Sequence, residues 1–171
     1  IVILVYIVMA TQFESLKFPF IIMFTIPFAF TGVFLALWLT STPLSLIALI
    51  GAIMLVGIVT KNGIVMVDYM NLLIERGSGV FDAVIAGGKS RLRPVLMTSF
   101  TTILGMVPLA IGSGEGSETW QPMGIAVIGG LTFSTILTLF IVPVLYSILV
   151  NRAQRKERER QEKLQQQQNA Q

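Results

Sequence analysis

Long apolar stretches constrain this chain more than any other feature of its sequence. Crossing a hydrocarbon layer of about 30 Å takes about 20 helical residues. Four stretches of suitable length occur, at residues 19–40, 44–71, 94–111 and 122–150. Only 12% of the residues are charged and the mean hydropathy is +0.79, so polar side chains are too few to coat a soluble globule. The sequence predicts an all-α, polytopic transmembrane helix bundle.

The beginning of the sequence is also apolar, but residues 1–10 are too few to cross a bilayer. They lack the basic flank and the cleavage site of a signal peptide. We interpret them as the end of a helix that starts upstream, and therefore expect the sequence to be a fragment of a longer protein.

Lysine and arginine are distributed unevenly among the connections between the spans. The basic connections are residues 12–18, 76–93 and 151–171, and those without Lys or Arg are residues 40–43 and 112–121. Because Lys and Arg are retained on the cytoplasmic side, the first set is predicted to be cytoplasmic. Trp38 and Trp120 fall near the predicted outer ends, where amphipathic rings favour the headgroup region.

The connections allow local predictions as well. We expect an N-cap residue directly before Pro43, and a separate short helix at residues 80–88 that rests at the membrane interface. Residues 151–171 form a charged, Gln-rich cytoplasmic tail, predicted as a solvated helix that frays toward its end. The tail holds 6 of the 12 basic residues, so the basic pI near 9.5 indicates contact with anionic lipid rather than nucleic acid. A specific partner for the tail is the alternative.

The absence of two residue types excludes several kinds of chemistry. The chain has no cysteine and no histidine, which excludes disulfides, thiol catalysis, haem and the usual zinc and copper sites. We predict no catalytic residue and no metal site, and we expect no cofactor other than protons as a coupling ion.

Small residues follow one another at steps of four in the last span: Ala126, Gly130, Ser134 and Thr138. Such a stripe allows a neighbouring helix backbone to come close. We interpret it as a helix-packing surface, with substrate contact as the alternative. In the first complete span, Pro27 is expected to bend the helix.

Lys61 is the most informative polar residue, because it lies inside an apolar span. A lysine at the centre of a bilayer costs about 3 kcal/mol on insertion scales and marks a functional site by default. The alternative is that it extends to the interface, but Asn71 is ten residues away, about 15 Å along the helix. A buried ammonium needs a carboxylate, and Asp68 is two turns distant. We therefore expect its partner elsewhere in a larger membrane domain.

A second polar face is predicted on the following span. Arg91, Thr98, Thr101 or Thr102, and Gly105 recur at helical spacing, so that hydroxyls would follow a basic group up one face. Such a face supplies donors and acceptors for a proton or water wire. A single membrane Thr more often bonds its own helix backbone. The alignment with Arg91 makes Thr98 the candidate.

Several short sequence motifs occur in the same order and at the same spacing as in a known family. They are Thr60-Lys61-Asn62 with Asp68, residues 91–98, the glycine-rich residues 112–116, Gly129-Gly130 and residues 140–146, and residues 12–15 are also similar. Together they resemble the C-terminal membrane region of resistance-nodulation-division (RND) exporters, specifically their hydrophobe and amphiphile, or multidrug, branch. The resemblance covers residues 1–150.

The resemblance implies a twelve-span, trimeric pump of the bacterial inner membrane with large extracytoplasmic domains. Residues 1–11 would be the end of span eight, and spans nine to twelve would be residues 19–40, 44–71, 94–111 and 122–150. The C-terminus would be cytoplasmic. In a Gram-negative cell a periplasmic adaptor and an outer-membrane channel would be partners.

The resemblance also implies a proton relay. In the family the matching lysine pairs with two acids on span four, and an arginine and a threonine on span eleven complete the relay. Carried over, these residues are Lys61, Arg91 and Thr98, with Asn62 as a weaker candidate. Metal-exporting relatives generally lack the Thr60-Lys61-Asn62 string, which favours drugs as substrates.

The expected function is therefore proton-driven efflux of hydrophobic or amphiphilic compounds, with this chain supplying the basic side of the relay. One alternative is a structural membrane module in which Lys61 only fixes helix contacts. A related proton-coupled lipid exporter or an auxiliary translocation protein is another.

Overall fold

The structure is a computed structural model that describes residues 2–13, 16–112, 114 and 116–169, except the side chains of residues 2, 17 and 153–169. Its helices are α1 (Val2–Phe13), α2 (Lys17–Met23), α3 (Thr25–Leu39), α4 (Leu46–Glu75), α5 (Val80–Ile111) and α6 (Ser117–Asn169). Within these ranges all regular secondary structure is helical, which confirms the predicted all-α class. Glu14, Ser15, Ser113 and Glu115 of the resembling strings lie outside the described residues.

Four helical segments are long and apolar enough to cross a membrane. They are Phe18–Leu39, Leu46–Glu75, Val80–Ile111 and Ser117–Arg152, and a shorter apolar helix, Ile3–Phe13, precedes them. The predicted architecture of four complete spans after part of another is confirmed.

The first complete span is divided at Phe24 into α2 and α3. The division lies one turn before Pro27, which has no N–H for the carbonyl of Met23 and whose ring crowds that carbonyl. At the break, the Thr25 hydroxyl donates to the carbonyl oxygen of Ile22 at 2.6 Å. Pro27 was expected to bend this helix, and the structure shows the helix interrupted one turn before it.

The start of α4 differs from the prediction of an N-cap at Thr42, before Pro43. Ser45 is the N-cap, and its hydroxyl oxygen accepts a hydrogen bond from the Ala48 N–H at 3.2 Å. Thr42 instead lies 2.9 Å from Thr40, hydroxyl to hydroxyl. The prediction was wrong because the chain stays irregular through Leu44 before the helix begins.

α5 is one continuous helix, which corrects the prediction of a separate helix at residues 80–88. It spans 32 residues and passes through Pro94 and Pro108. A Cβ on Gly87 would lie 2.6 Å from Cγ of Met70, so this part of α5 lies directly against α4. Residues 80–88, which were expected to rest at the membrane interface, therefore pack against α4 as the first part of α5.

α6 begins before the predicted start at residue 122. The Ser117 hydroxyl donates to the carbonyl oxygen of Gly114 at 2.7 Å and accepts from the Gly114 N–H at 3.1 Å, which closes the preceding turn. Glu118 in the first turn suits the positive end of the helix dipole. At its other end α6 continues through the tail to Asn169, so the expected fraying is not seen up to that residue.

α6 is the central helix, in contact with α3, α4 and α5. α4 runs parallel to it, because Gly51 lies against Met123 near one end of the pair and Tyr146 donates a hydrogen bond to Asn71 Oδ1 near the other. α5 runs antiparallel to both, since its end at Ala110 lies against Gly124 near the start of α6. Ser99 on α5 hydrogen-bonds Thr135 on α6 at 2.9 Å.

These directions bring the basic ends of the helices together. One end of the bundle, which we call the basic end, contains parts of three helices. They are the end of α4 at Arg76, the first part of α5 with Lys89 to Arg93, and the part of α6 that reaches Arg152. Trp38 and Trp120 lie at the opposite end. The arrangement matches the alternating charge of the connections.

The core consists of two clusters, one toward each end of the bundle. The cluster nearer the tryptophans joins α3, α4 and α6 through Ala29, Val33, Leu37, Ala48, Ala52, Leu55, Val59, Ala126 and Leu131. The cluster nearer the basic end joins α1, α2, α4 and α6 through Met9, Ile21, Ile22, Met66, Val67, Met70, Val142 and Tyr146. α5 contributes few buried residues and is the peripheral helix.

The predicted stripe of Ala126, Gly130, Ser134 and Thr138 is buried along its length. The close approach of the α3 and α6 backbones, however, uses a neighbouring residue, Gly129. A Cβ on Gly129 would lie 3.0 Å from the carbonyl oxygen of Gly32, and a Cβ on Gly32 would lie 2.9 Å from that of Gly129. Glycine on both helices is what permits α3 and α6 to come this close.

Candidate functional site

A cavity of about 110 Å³ between α4 and α5 brings together the residues named for a proton relay. Its lining comprises Lys61, Asn62, Val65, Arg91, Pro94, Val95 and Thr98. The α4 residues are spaced i, i+1, i+4 and the α5 residues i, i+3, i+4, i+7, so each set forms one helix face. Because the two helices are antiparallel neighbours, these faces meet.

The charges in this cavity, which we call the relay cavity, are unbalanced. Among the described residues that line it there are two cations, Lys61 and Arg91, and no acid. Asp68 is exposed and lies two turns along α4 from Lys61. Two positive side chains facing one small space repel each other, so the site is suited to an anionic partner.

Arg91 is held by an aromatic ring rather than by a carboxylate. Its guanidinium carbon lies 4.7 Å from the centroid of the Tyr69 ring, within the range of a cation–π contact. The Arg91 Nε is buried and has no hydrogen-bond partner in the described part of the chain. Sequence reasoning missed Tyr69, because nothing in the spacing of α4 indicates that this ring faces α5.

Thr98 lines the relay cavity, but its hydroxyl proton is already used. The Thr98 hydroxyl donates to the carbonyl oxygen of Pro94 at 2.9 Å. Thr101 and Thr102 donate in the same way to residues four positions earlier, at 2.8 and 2.9 Å. This is the local bonding expected of an individual membrane threonine. The oxygen of Thr98 keeps its capacity to accept a hydrogen bond.

Lys61 also borders a second, larger space between α1 and α4. This cavity of about 410 Å³ is mostly apolar and is lined by Leu4, Val5, Val8, Met9, Gln12, Gly57, Thr60, Lys61, Ile64 and Val65. Thr60 is one of these lining residues, and its buried hydroxyl has no hydrogen-bond partner in the described residues. Lys61 is exposed and stands between the two cavities.

Helices that cross a membrane and enclose a charged cavity define a polytopic membrane protein with an ionisable intramembrane site. A model of the AcrB/AcrD/AcrF family matches residues 1–150. The chain belongs to this family of RND transporters, which confirms the resemblance stated from the motifs.

Relatives with different named substrates are similar to the chain. The multidrug resistance protein MdtC of Erwinia tasmaniensis is 46% identical over 143 residues, covering 83% of this chain and 14% of that protein. The cobalt-zinc-cadmium resistance protein CzcA of Cupriavidus metallidurans is 43% identical over 145 residues, covering 85% and 14%. The chain thus spans 14% of the length of these relatives.

A solved structure shares the fold. The crystal structure of a heavy metal efflux pump superimposes with a TM-score of 0.78 at 33% sequence identity, over 88% of this chain and 14% of that one. The chain is similar both to a relative named for drug resistance and to relatives named for metal efflux. Overall sequence identity therefore does not distinguish between these two substrate classes.

Proposed function

We propose that this chain is the part of a proton-driven efflux transporter that supplies the basic side of an intramembrane proton relay. The observation that carries the proposal is the relay cavity, where Lys61, Asn62, Arg91 and Thr98 converge from two membrane-spanning helices. In this proposal the transporter is a homotrimer of the bacterial inner membrane, and its C-terminus is cytoplasmic. In a Gram-negative cell it works with a periplasmic adaptor and an outer-membrane channel.

The acids of the relay come from a part of the transporter outside the described residues. The relatives are much longer than the chain, which covers 14% of them. A carboxylate within about 4 Å of a cation, at an effective dielectric constant of about 20, attracts it by about 4 kcal/mol. Protonation of the carboxylate removes attraction of that order, which is enough to bias a two-state helix arrangement.

Lys61 is the side chain best placed to respond. When the acids are ionised they hold its ammonium group, and when they bind protons the group turns toward Asn62 and the Thr98 oxygen in the relay cavity. Both accept hydrogen bonds. The change is transmitted to the parts of the transporter that bind substrate.

The substrates proposed are hydrophobic or amphiphilic compounds. The Thr60-Lys61-Asn62 string favours this class, as does the similarity to the multidrug resistance protein MdtC. Metal cations are a second candidate, favoured by the similarity to CzcA and to the heavy metal efflux pump. Comparing export of an amphiphilic dye with export of zinc by the same transporter separates the two.

The test uses the full-length transporter in a bacterial strain that lacks other efflux pumps. Lys61→Ala is expected to abolish efflux of the dye at unchanged expression. Lys89→Ala is the matched control, because Lys89 is an exposed lysine on α5 outside the relay cavity, and it should retain efflux. Normal efflux by Lys61→Ala or by Lys61→Met would instead favour a structural membrane module.

A further inference from the structure

Tyr69 does not line the relay cavity itself, but its ring contacts Arg91, which does. It lies two turns beyond Lys61 on α4 and is half-buried. The guanidinium carbon of Arg91, on α5, is 4.7 Å from the centre of its ring. This contact joins the two helices at the edge of the cavity where Arg91 lies.

An aromatic face holds arginine differently from a carboxylate. A carboxylate takes up two guanidinium N–H donors and cancels the charge. A ring attracts the cation through its π face and leaves in-plane donors available. Because the Nε of Arg91 has no partner among the described residues, the donor capacity of Arg91 is not exhausted within this part of the protein.

Restricting the guanidinium also has a physical benefit. A free arginine side chain has considerable conformational entropy, which it loses when its guanidinium is fixed by a bond to an acid or a water. A guanidinium that is already held beside the cavity loses less conformational entropy when it forms those bonds. No acid among the described lining residues could do this holding instead.

We propose that Tyr69 is a positioning residue of the relay: its ring holds Arg91 beside the cavity while leaving the charge and the N–H donors of Arg91 free for the relay. The inference rests on the proposed function. It assigns the role to the ring and not to the phenol hydroxyl.

The test compares two variants of the full-length transporter in pump-deficient cells. Tyr69→Phe keeps the ring, and we expect its maximal efflux rate to lie within about twofold of the unmodified protein. Tyr69→Leu keeps an apolar side chain but removes the ring. We expect its maximal rate to fall by about 3-fold to 30-fold, the range that a cation–π contact provides, with the KM for the dye unchanged.

The matched control for loss of an aromatic ring is Phe100→Leu. Phe100 is exposed on α5 and borders a different surface groove from the one that holds Arg91. We expect its maximal rate and its KM to equal those of the unmodified protein at equal expression. A fall limited to Tyr69→Leu would then follow from losing the contact with Arg91.

Several results would overturn the inference. They are a normal rate for Tyr69→Leu, an equal loss in Tyr69→Phe, and a raised KM in place of a lowered maximal rate. Lys61→Ala is assayed in parallel to separate the two proposals. If Lys61→Ala is inactive and Tyr69→Leu is normal, the role of Tyr69 alone is refuted; if both are normal, the proposed function is refuted with it.

Discussion

The contact of Gly32 with Gly129 predicts a large effect from a single methyl group. A Cβ at residue 129 would lie 3.0 Å from the carbonyl oxygen of Gly32 and still closer to the Cβ of Ala36. Neither atom belongs to the flexible end of a long side chain, so Gly129→Ala forces α3 and α6 apart. Overpacking of this kind costs about 1–3 kcal/mol.

Replacing a glycine by alanine within a helix also stabilises the helix. The net change in the free energy of unfolding is the overpacking cost minus this stabilisation. Alanine stabilises a helix by about 1 kcal/mol relative to glycine, so Gly129→Ala is expected to lose up to about 2 kcal/mol. Gly105→Ala is the matched control, since nothing lies within 4 Å of a Cβ built there, and it should be neutral or slightly stabilising. The two variants then differ by the overpacking cost of about 1–3 kcal/mol, and at about 2–4 °C per kcal/mol their unfolding midpoints should differ by about 2–12 °C.

These 171 residues contain no cysteine, which supplies an assay for the chain itself. Ala126 is fully buried at the same helix interface, so Ala126→Cys introduces a single thiol that a thiol-reactive dye labels only when the bundle opens. Both glycine variants are made in this background and heated in detergent micelles. Equal midpoints, or a higher one for Gly129→Ala, would refute the account of how α3 and α6 pack.

Two further changes test local interactions by the same thermal assay. Tyr146→Phe removes the hydrogen bond to Asn71 between the parallel helices α4 and α6, and we expect a loss of about 1 kcal/mol; no change in the midpoint would show that this bond does not stabilise the bundle. Ser45→Ala removes the oxygen that accepts the Ala48 N–H at the start of α4, and we expect a loss of about 1 kcal/mol, which Ser45→Asp should restore. Equal midpoints for the alanine and aspartate variants would argue against the cap.

The lengths of the apolar stretches predict most of the fold, because a helix needs a nearly fixed number of apolar residues to cross a bilayer. Helix ends are less predictable. The cap at Ser45 depends on where the irregular turn stops, and α5 continues back to Val80 because Gly87 lies against Met70 of another helix. Tertiary contacts of this kind leave no periodic signal in the segment itself.

The candidate site divides in a similar way. The unusual cost of a lysine in a membrane marks Lys61 from sequence, and helical spacing indicates Arg91 and Thr98. The resemblance supplies Asn62 and the joining of these residues into one relay. The contact of Tyr69 with Arg91, the burial of the Thr60 hydroxyl and the pair of Gly32 with Gly129 required the structure. Their roles depend on how each helix is rotated toward its neighbour, and a stripe of small residues indicates only approximately which positions meet.

We propose that Lys61 couples proton movement to transport. The most direct test of this coupling reconstitutes the full-length transporter in liposomes with a pH-sensitive dye inside, imposes a proton gradient, and measures proton flux on addition of an amphiphilic substrate. Substrate-dependent proton flux is predicted for the unmodified protein and for Lys89→Ala, and none for Lys61→Ala. Proton flux through Lys61→Ala at the unmodified rate would contradict the account.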